Sequence, residues 1–244
     1  MEPDWVAIAL VGGSFLAAAF NAAFSIGGAM IILAITTTVL PVSAVVPMHS
    51  VLLVGSTVSR TALFWSFIQW RIVAPFLAGS LFGTMLGAKI YVELPDDVIA
   101  LAIGIVMLVA IWLPEVKWRP TFRHPWVLVG FFHSLLSTMF AYGALLHAIV
   151  LHTGMLRRQI IATMAGCLAG MSIFKIASYS WFGFDYAPYL LVIAGAVVAS
   201  LLGTWLGKRL SENLPEKQFR FAYRVLITVT AVRLLYTALA GGNL

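Results

Sequence analysis

The sequence predicts an all-α polytopic membrane protein made of two inverted repeats of five segments each. Three observations carry that prediction: an extreme apolar composition, ten apolar segments punctuated by Pro and Gly, and an internal repeat whose loop charges alternate. Hydrophobic residues make up 61% of the 244, and charged residues only 10%. Ordinary soluble domains carry about 25% charged residues. The mean hydropathy of +0.99 points the same way, and several runs are long enough to cross a hydrocarbon core of about 30 Å.

The segments read as 5–20, 26–40, 44–67, 72–92 and 97–113, then 126–140, 141–155, 159–182, 187–209 and 218–239. Pro41, Pro75, Pro95, Pro114, Pro125, Pro188 and Pro215 mark most of the breaks. The first segment follows Glu2 and Asp4 with no basic n-region and no small-residue cleavage site, so it reads as a retained membrane segment. The first two segments of each half are short, at about 15 residues or ~22 Å of helix. They are expected to be stubby helices or a re-entrant hairpin.

The halves repeat. Gly83-Thr84-Met85-Leu86-Gly87 matches Gly203-Thr204-Trp205-Leu206-Gly207, and Leu94-Pro95 matches Leu214-Pro215, both 120 residues apart. Earlier in each half the offset is 116, which aligns Trp65 with Trp181 and Ser59 with Lys175. The reading divides the chain into a first repeat (1–114), a cytoplasmic linker (115–125) and a second repeat (126–244). With the N-terminus outside, Arg71, Lys117, Arg119, Arg123, Arg157, Arg158, Lys208, Arg209 and Lys217 all fall on the cytoplasmic side. Lys89, Glu93, Asp96, Asp97 and Asp185 fall outside, so every basic cluster is inside, as the positive-inside rule asks. An odd number of segments per half then turns the second repeat upside down, an arrangement common in transporters.

Several function classes have little to rest on. No basic run is long enough for nucleic acid. The single Cys167 forbids a disulfide framework within the chain and a Cys cluster for zinc. No carboxylate lies in the middle of an apolar segment, which argues against an intramembrane aspartyl protease or a buried acidic proton relay. There is no His-Glu-x-x-His, and His147 and His152 are five apart, off a common helical face. Neither a metal nor a cofactor is expected.

What remains is a pair of cations inside apolar segments. Arg60 lies eleven residues before Arg71, about 16 Å of continuous helix, so it is expected near the bilayer midplane. Lys175 is within one residue of the equivalent position in the second half. Charge at that depth costs at least ~2.5–3.5 kcal/mol on insertion scales, and its usual reason is a ligand or ion pathway. The competing reading is a cation buried against helix-end carbonyls. Ser56 flanks Arg60, and His49-Ser50 opens the third segment. The turns at Ser25, Gly27 and Gly28, and at Ser137, Thr138, Tyr142 and Gly143, are expected to offer backbone N–H groups to an anion. Alternatively the glycines merely permit close helix packing. The Gly79/Gly83/Gly87 stripe and its copy at Gly195, Gly203 and Gly207 read as packing alone.

Ile26-Gly27-Gly28, Pro47-Met48-His49-Ser50, Gln69-Trp70-Arg71, the doubled Gly-Thr-x-Leu-Gly-x-Lys/Arg and the run from Arg220-Phe221 to Leu235 with Arg233 together resemble the TauE/SafE family of membrane proteins. The family is also called the sulfite exporter or toluene-sulfonate uptake permease family. The likeness covers nearly the whole chain and departs from the pattern at Ser-Ile-Gly-Gly and at the reduced Tyr142-Gly143. It implies transport of a small sulfur-containing anion, sulfite or a C2 sulfonate such as sulfoacetate, taurine or isethionate, by alternating access. The alternatives are an intramembrane sulfur-relay enzyme using Cys167, or an anion channel. The expected setting is a bacterial inner membrane, with a small anion and the lipid bilayer as partners and a homodimer as the candidate assembly.

Overall fold

The computed structural model describes residues 4–24, 27–112, 125–141, 143–150, 153–210 and 216–240, so Ser25, Tyr142 and the linker cations Lys117, Arg119 and Arg123 lie outside the described residues. Helix is the only regular structure among the described residues. That follows from the composition, because a backbone in hydrocarbon must satisfy its polar groups within its own segment. Among the described residues, five stretches are long and apolar enough to cross a membrane: Asp4–Ala22, Val42–Leu63, Trp70–Glu93, Arg158–Trp181 and Ala187–Gly207. Exposed tryptophans sit at or near helix ends, at Trp5, Trp65, Trp70, Trp112, Trp181 and Trp205, where a headgroup region favours amphipathic rings.

The helices follow the ten apolar segments, with two differences. In chain order they are α1 (Asp4–Phe24), α2 (Gly28–Val39), α3 (Val42–Leu52), α4 (Val54–Leu63), α5 (Trp70–Glu93), α6 (Asp96–Trp112), α7 (Pro125–Phe140), α8 (Ala144–Val150), α9 (Arg157–Trp181), α10 (Leu190–Leu210) and α11 (Glu216–Leu239). The expected single segment 44–67 is broken at Leu53 into α3 and α4, and a short turn of tighter helix, Trp65–Phe67, follows α4. The first segment is longer than expected. α1 has 21 residues, because Asn21 to Phe24 continue its apolar helix. α2 with 12 residues and α8 with 7 are too short to cross about 30 Å at 1.5 Å per residue.

The chain forms two compact units, and each draws helices from both halves of the sequence. One unit holds α1, α2, α3, α6, α10 and α11. The other holds α5, α7, α8 and α9, and the division falls inside α4 between Ser56 and Thr57.

In the first unit α1 packs along α10, α2 lies on α1 and α3, and α11 lies on α6. A Cβ placed on Gly203 would lie 2.2 Å from the Phe15 carbonyl oxygen, and one on Gly207 2.1 Å from that of Ala19. Only glycine allows the two backbones this close. Val11 lies beside Gly195 and Ala19 beside Gly207, so α1 and α10 run parallel. Asp4 and Asp185 therefore mark one end of the pair. Arg209, stacked 3.9 Å over the Trp205 ring, marks the other.

In the second unit α7 and α9 both pack on α5. A Cβ on Gly83 would lie 2.3 Å from the Phe131 carbonyl oxygen, and one on Gly79 1.9 Å from that of Val127. Phe76 meets Gly130 and Gly87 meets Thr138, whereas Val73 approaches Gly166 and the Tyr91 and Tyr179 rings stand 5.6 Å apart. Hence α5, α7 and α9 run parallel, with their first residues at one end. That end is basic: Arg71 begins α5, and Arg158 of α9 reaches over the Phe67 ring at 5.8 Å. The Gln69 N–H donates to Thr163 Oγ1 at 3.1 Å, tying the α4–α5 turn to the same end of α9. The core of this unit includes Ile68, Val73, Phe76, Val129, Leu146, Ile149, Ala162, Cys167 and Met171.

Candidate functional site: a buried lysine at a broken helix

Helix α7 stops after 16 residues, about 24 Å of rise, and its last carbonyls fall short of a full crossing. The chain leaves the helix through Ala141, whose φ of +55° is the left-handed conformation common just past a helix end. Carbonyls ending at that depth must find donors inside the protein. Two come from α9. Lys175 Nζ, only 2% exposed, donates to the Ser137 carbonyl at 2.8 Å and approaches Ser137 Oγ at 3.3 Å. The Tyr179 hydroxyl donates to the Thr138 carbonyl. Residues 175 and 179 are four apart, so one face of α9 carries both donors.

The competing reading of a cation against helix-end carbonyls thus describes one part of what Lys175 does. It does not discharge the lysine. An ammonium has three N–H donors, and both acceptors found by Lys175 among the described residues belong to neutral Ser137. An ammonium held by neutral groups in such an interior is poorly solvated, so an anion gains most from meeting it there.

The polar groups around it are concentrated on α7. Ser134 donates to Ser80 Oγ of α5 at 2.7 Å. His133 Nδ1 accepts the Leu146 N–H of α8 at 3.2 Å. Thr138 is fully buried, and its Oγ1 has no hydrogen-bond partner among the described residues. Gly143, before α8, is exposed.

Arg60 belongs to the same unit, but its surroundings differ from the expectation. The helix ends at Leu63, three residues past Arg60, instead of running on to Arg71. Arg60 is in the last turn of α4, about 5 Å of rise from the helix end. There it suits the negative end of the helix dipole, close to the exposed Leu63 and Trp65 and half-buried rather than enclosed. The depth estimated from an unbroken helix fails because the Trp65–Phe67 turn interrupts it.

The remaining expected residues lie in the first unit. Gly27, with φ +98°, caps α2, and its carbonyl accepts the N–H groups of Met30 and Ile31 at 3.0 and 3.3 Å. Gly28 is pressed against α1, where a Cβ would lie 2.4 Å from the Ala17 carbonyl oxygen. His49 Nε2 meets the Ala29 carbonyl at 3.0 Å, pinning the first turn of α2. The Ser50 hydroxyl donates to the Val46 carbonyl at 2.8 Å and that of Ser56 to the Leu53 carbonyl at 3.1 Å. The first proton is committed within α3, the second to the carbonyl at the break before α4.

Two contributors were not among the expected site residues. Tyr179 had a legible signal, being one helical turn from Lys175. The Ser80–Ser134 pair had none, because residues 54 apart meet only through the α5–α7 seam.

A polytopic helical membrane protein with a broken helix and an enclosed cation is the class that this fold and site define. The model of the TauE/SafE sulfite exporter family matches residues 10–234, and the chain belongs to that family of membrane transporters. Comparison with curated proteins gives no match, and neither does comparison with solved structures.

Proposed function

We propose that this protein carries a small sulfur-containing oxyanion, sulfite or a C2 sulfonate, across a bacterial inner membrane by alternating access. The single observation that carries the reading is Lys175: enclosed, held among the described residues by Ser137 alone, and set where α7 ends. Family membership supplies the sulfur-anion class. In this reading Lys175 supplies charge, Ser137 and Thr138 supply hydroxyls, and Arg60 adds a second cation toward the basic end of the unit. Gly143, beyond the end of α7, belongs to the same proposed set; Gly27, Gly28, His49, Ser50 and Ser56, in the other unit, form a separate proposed set of contacts. The sulfur-relay alternative needs a reactive thiol. Cys167 is fully buried in an apolar cluster, the setting of an inert packing cysteine.

The same reading includes the inverted repeat. Gly83 against Phe131 and Gly203 against Phe15 are one contact made twice, with glycine positions 120 apart and partners 116 apart. The α5–α7 pair begins at a basic end and the α1–α10 pair at an acidic one. The positive-inside rule then sends the two pairs through the bilayer in opposite directions, with the N-terminus outside.

The test is ligand-induced thermal stabilisation of the detergent-purified protein with sulfite. Wild type is expected to gain several degrees. Lys175→Met should lose the gain while its ligand-free melting temperature stays level or rises, because a desolvated charge is gone and Ser137 O keeps its bond from the Ala141 N–H at 3.0 Å. Arg60→Lys should weaken binding and Arg60→Ala should weaken it further, through loss of the planar fork and then of the charge. Full sulfite stabilisation in Lys175→Met would show the site to be misplaced.

A further inference from the structure

The break between α7 and α8 carries a polar atom that the account above leaves unused. His133 is fully buried, and its Nδ1 accepts the N–H of Leu146, the third residue of α8. That N–H is one of the four at a helix start with no partner inside the helix. A ring nitrogen that accepts a hydrogen bond has no proton of its own, so in the neutral ring the hydrogen is on Nε2. This Nε2–H is enclosed and has no partner among the described residues. Buried donors in native proteins nearly always have an acceptor, and one without calls for an explanation.

The neighbours of the ring define which acceptor suits it. Phe76 of α5 tilts against it at 5.7 Å between centroids and offers no acceptor atom. Lys175 of α9 and His147 of α8 are both near enough to act on it electrostatically, and no described carboxylate does so. Thr138, five residues farther along α7 and beside Gly87 in the α5 seam, holds another buried polar atom with no partner among the described residues.

We propose that His133 is a further ligand-binding residue of this centre: a neutral Nε2–H donor to an oxygen of the sulfur oxyanion. Leu146 locks its tautomer, so the tie that holds the start of α8 also sets the donor. The ligand class sharpens accordingly to an oxyanion with more than one acceptor oxygen, rather than a halide, because Lys175 and His133 present separate donors. The proposal rests on the reading of Lys175 as the charge partner of the anion.

The test uses the full-length detergent-purified protein carrying isotope-labelled histidine, titrated with sulfite and, separately, with chloride. The ring signals of His133 are assigned by their loss in His133→Gln. The expected spectrum shows a protonated Nε2 and a bare Nδ1 before sulfite, with the Nε2–H signal moving on sulfite but not on chloride. Sulfite affinity should fall about tenfold or more in His133→Leu, and stay within about threefold in His133→Gln, which retains an N–H donor. A proton on Nδ1, or an Nε2–H signal unmoved at saturating sulfite, overturns the proposal even if His133→Leu fails to fold. Wild-type affinity in His133→Leu overturns it as well. Sulfite binding by wild type that is lost in Lys175→Met but unaffected in His133→Leu removes His133 alone. A wild type that binds no sulfite removes the reading of Lys175 too.

Discussion

Lys175 joins two roles in one side chain. Its bond to the Ser137 carbonyl helps close the end of α7, and its amine, met among the described residues by neutral oxygens alone, is what a ligand would read. Cys167, eight residues earlier on α9, shows the contrast. It is fully enclosed among Ile68, Val73, Phe76 and Met171, and an apolar wall around a small thiol is a packing arrangement. Cys167→Ala is expected to cost about 1 kcal/mol through the small void it leaves, and to leave sulfite binding unchanged. Thermal unfolding with and without sulfite checks both. Loss of binding at normal stability and normal protein level would favour the sulfur-relay alternative.

At the scale of elements, the glycine seams position everything else. Gly79, Gly83 and Gly87 let α5 and α7 touch backbone to backbone, which holds the end of α7 beside α9. Gly83→Ala and Gly203→Ala should each destabilise by about 1–3 kcal/mol, because the new methyl meets a backbone carbonyl that cannot swing aside. Gly12→Ala is the control. It lies on an exposed face of α1 with nothing within 4 Å, and should be neutral or stabilising by about 0.5–1 kcal/mol. Thermal unfolding of the three variants in one detergent ranks them. These seams were legible in the sequence as stripes of small residues four apart, and the ten apolar segments located every helix. The break at Leu53 and the early stop at Leu63 were not legible. Gly55 is the one breaker near the first position and none lies at the second, so the continuous helix assumed for the depth of Arg60 did not hold. Lys175 was found by its alignment with the first half, whereas its partner Ser137 depends on where α7 ends. The tie between His133 and Leu146 depends on the same break. Sequence spacing cannot report a helix end set by tertiary packing.

For the whole molecule, the claim is a membrane transporter whose halves run in opposite senses through the bilayer. Within the second unit Arg71 and Arg158 mark the same end, and in the first Asp4 and Asp185 share one end opposite Arg209. Those groupings are what a single orientation rule needs. Cysteine substitutions at Asp96 and Asp185 should react with an impermeant reagent added from the periplasmic side, and one at Arg158 should not. Strong external labelling at position 158 would end the inverted-repeat reading. Binding, seams and topology serve one activity, which is measured most directly as uptake of radiolabelled sulfite into proteoliposomes containing the purified protein. The account predicts saturable uptake above that of empty vesicles, reduced to the empty-vesicle level in Lys175→Met. Wild-type uptake no greater than that of empty vesicles, or equal uptake by wild type and Lys175→Met, would contradict it.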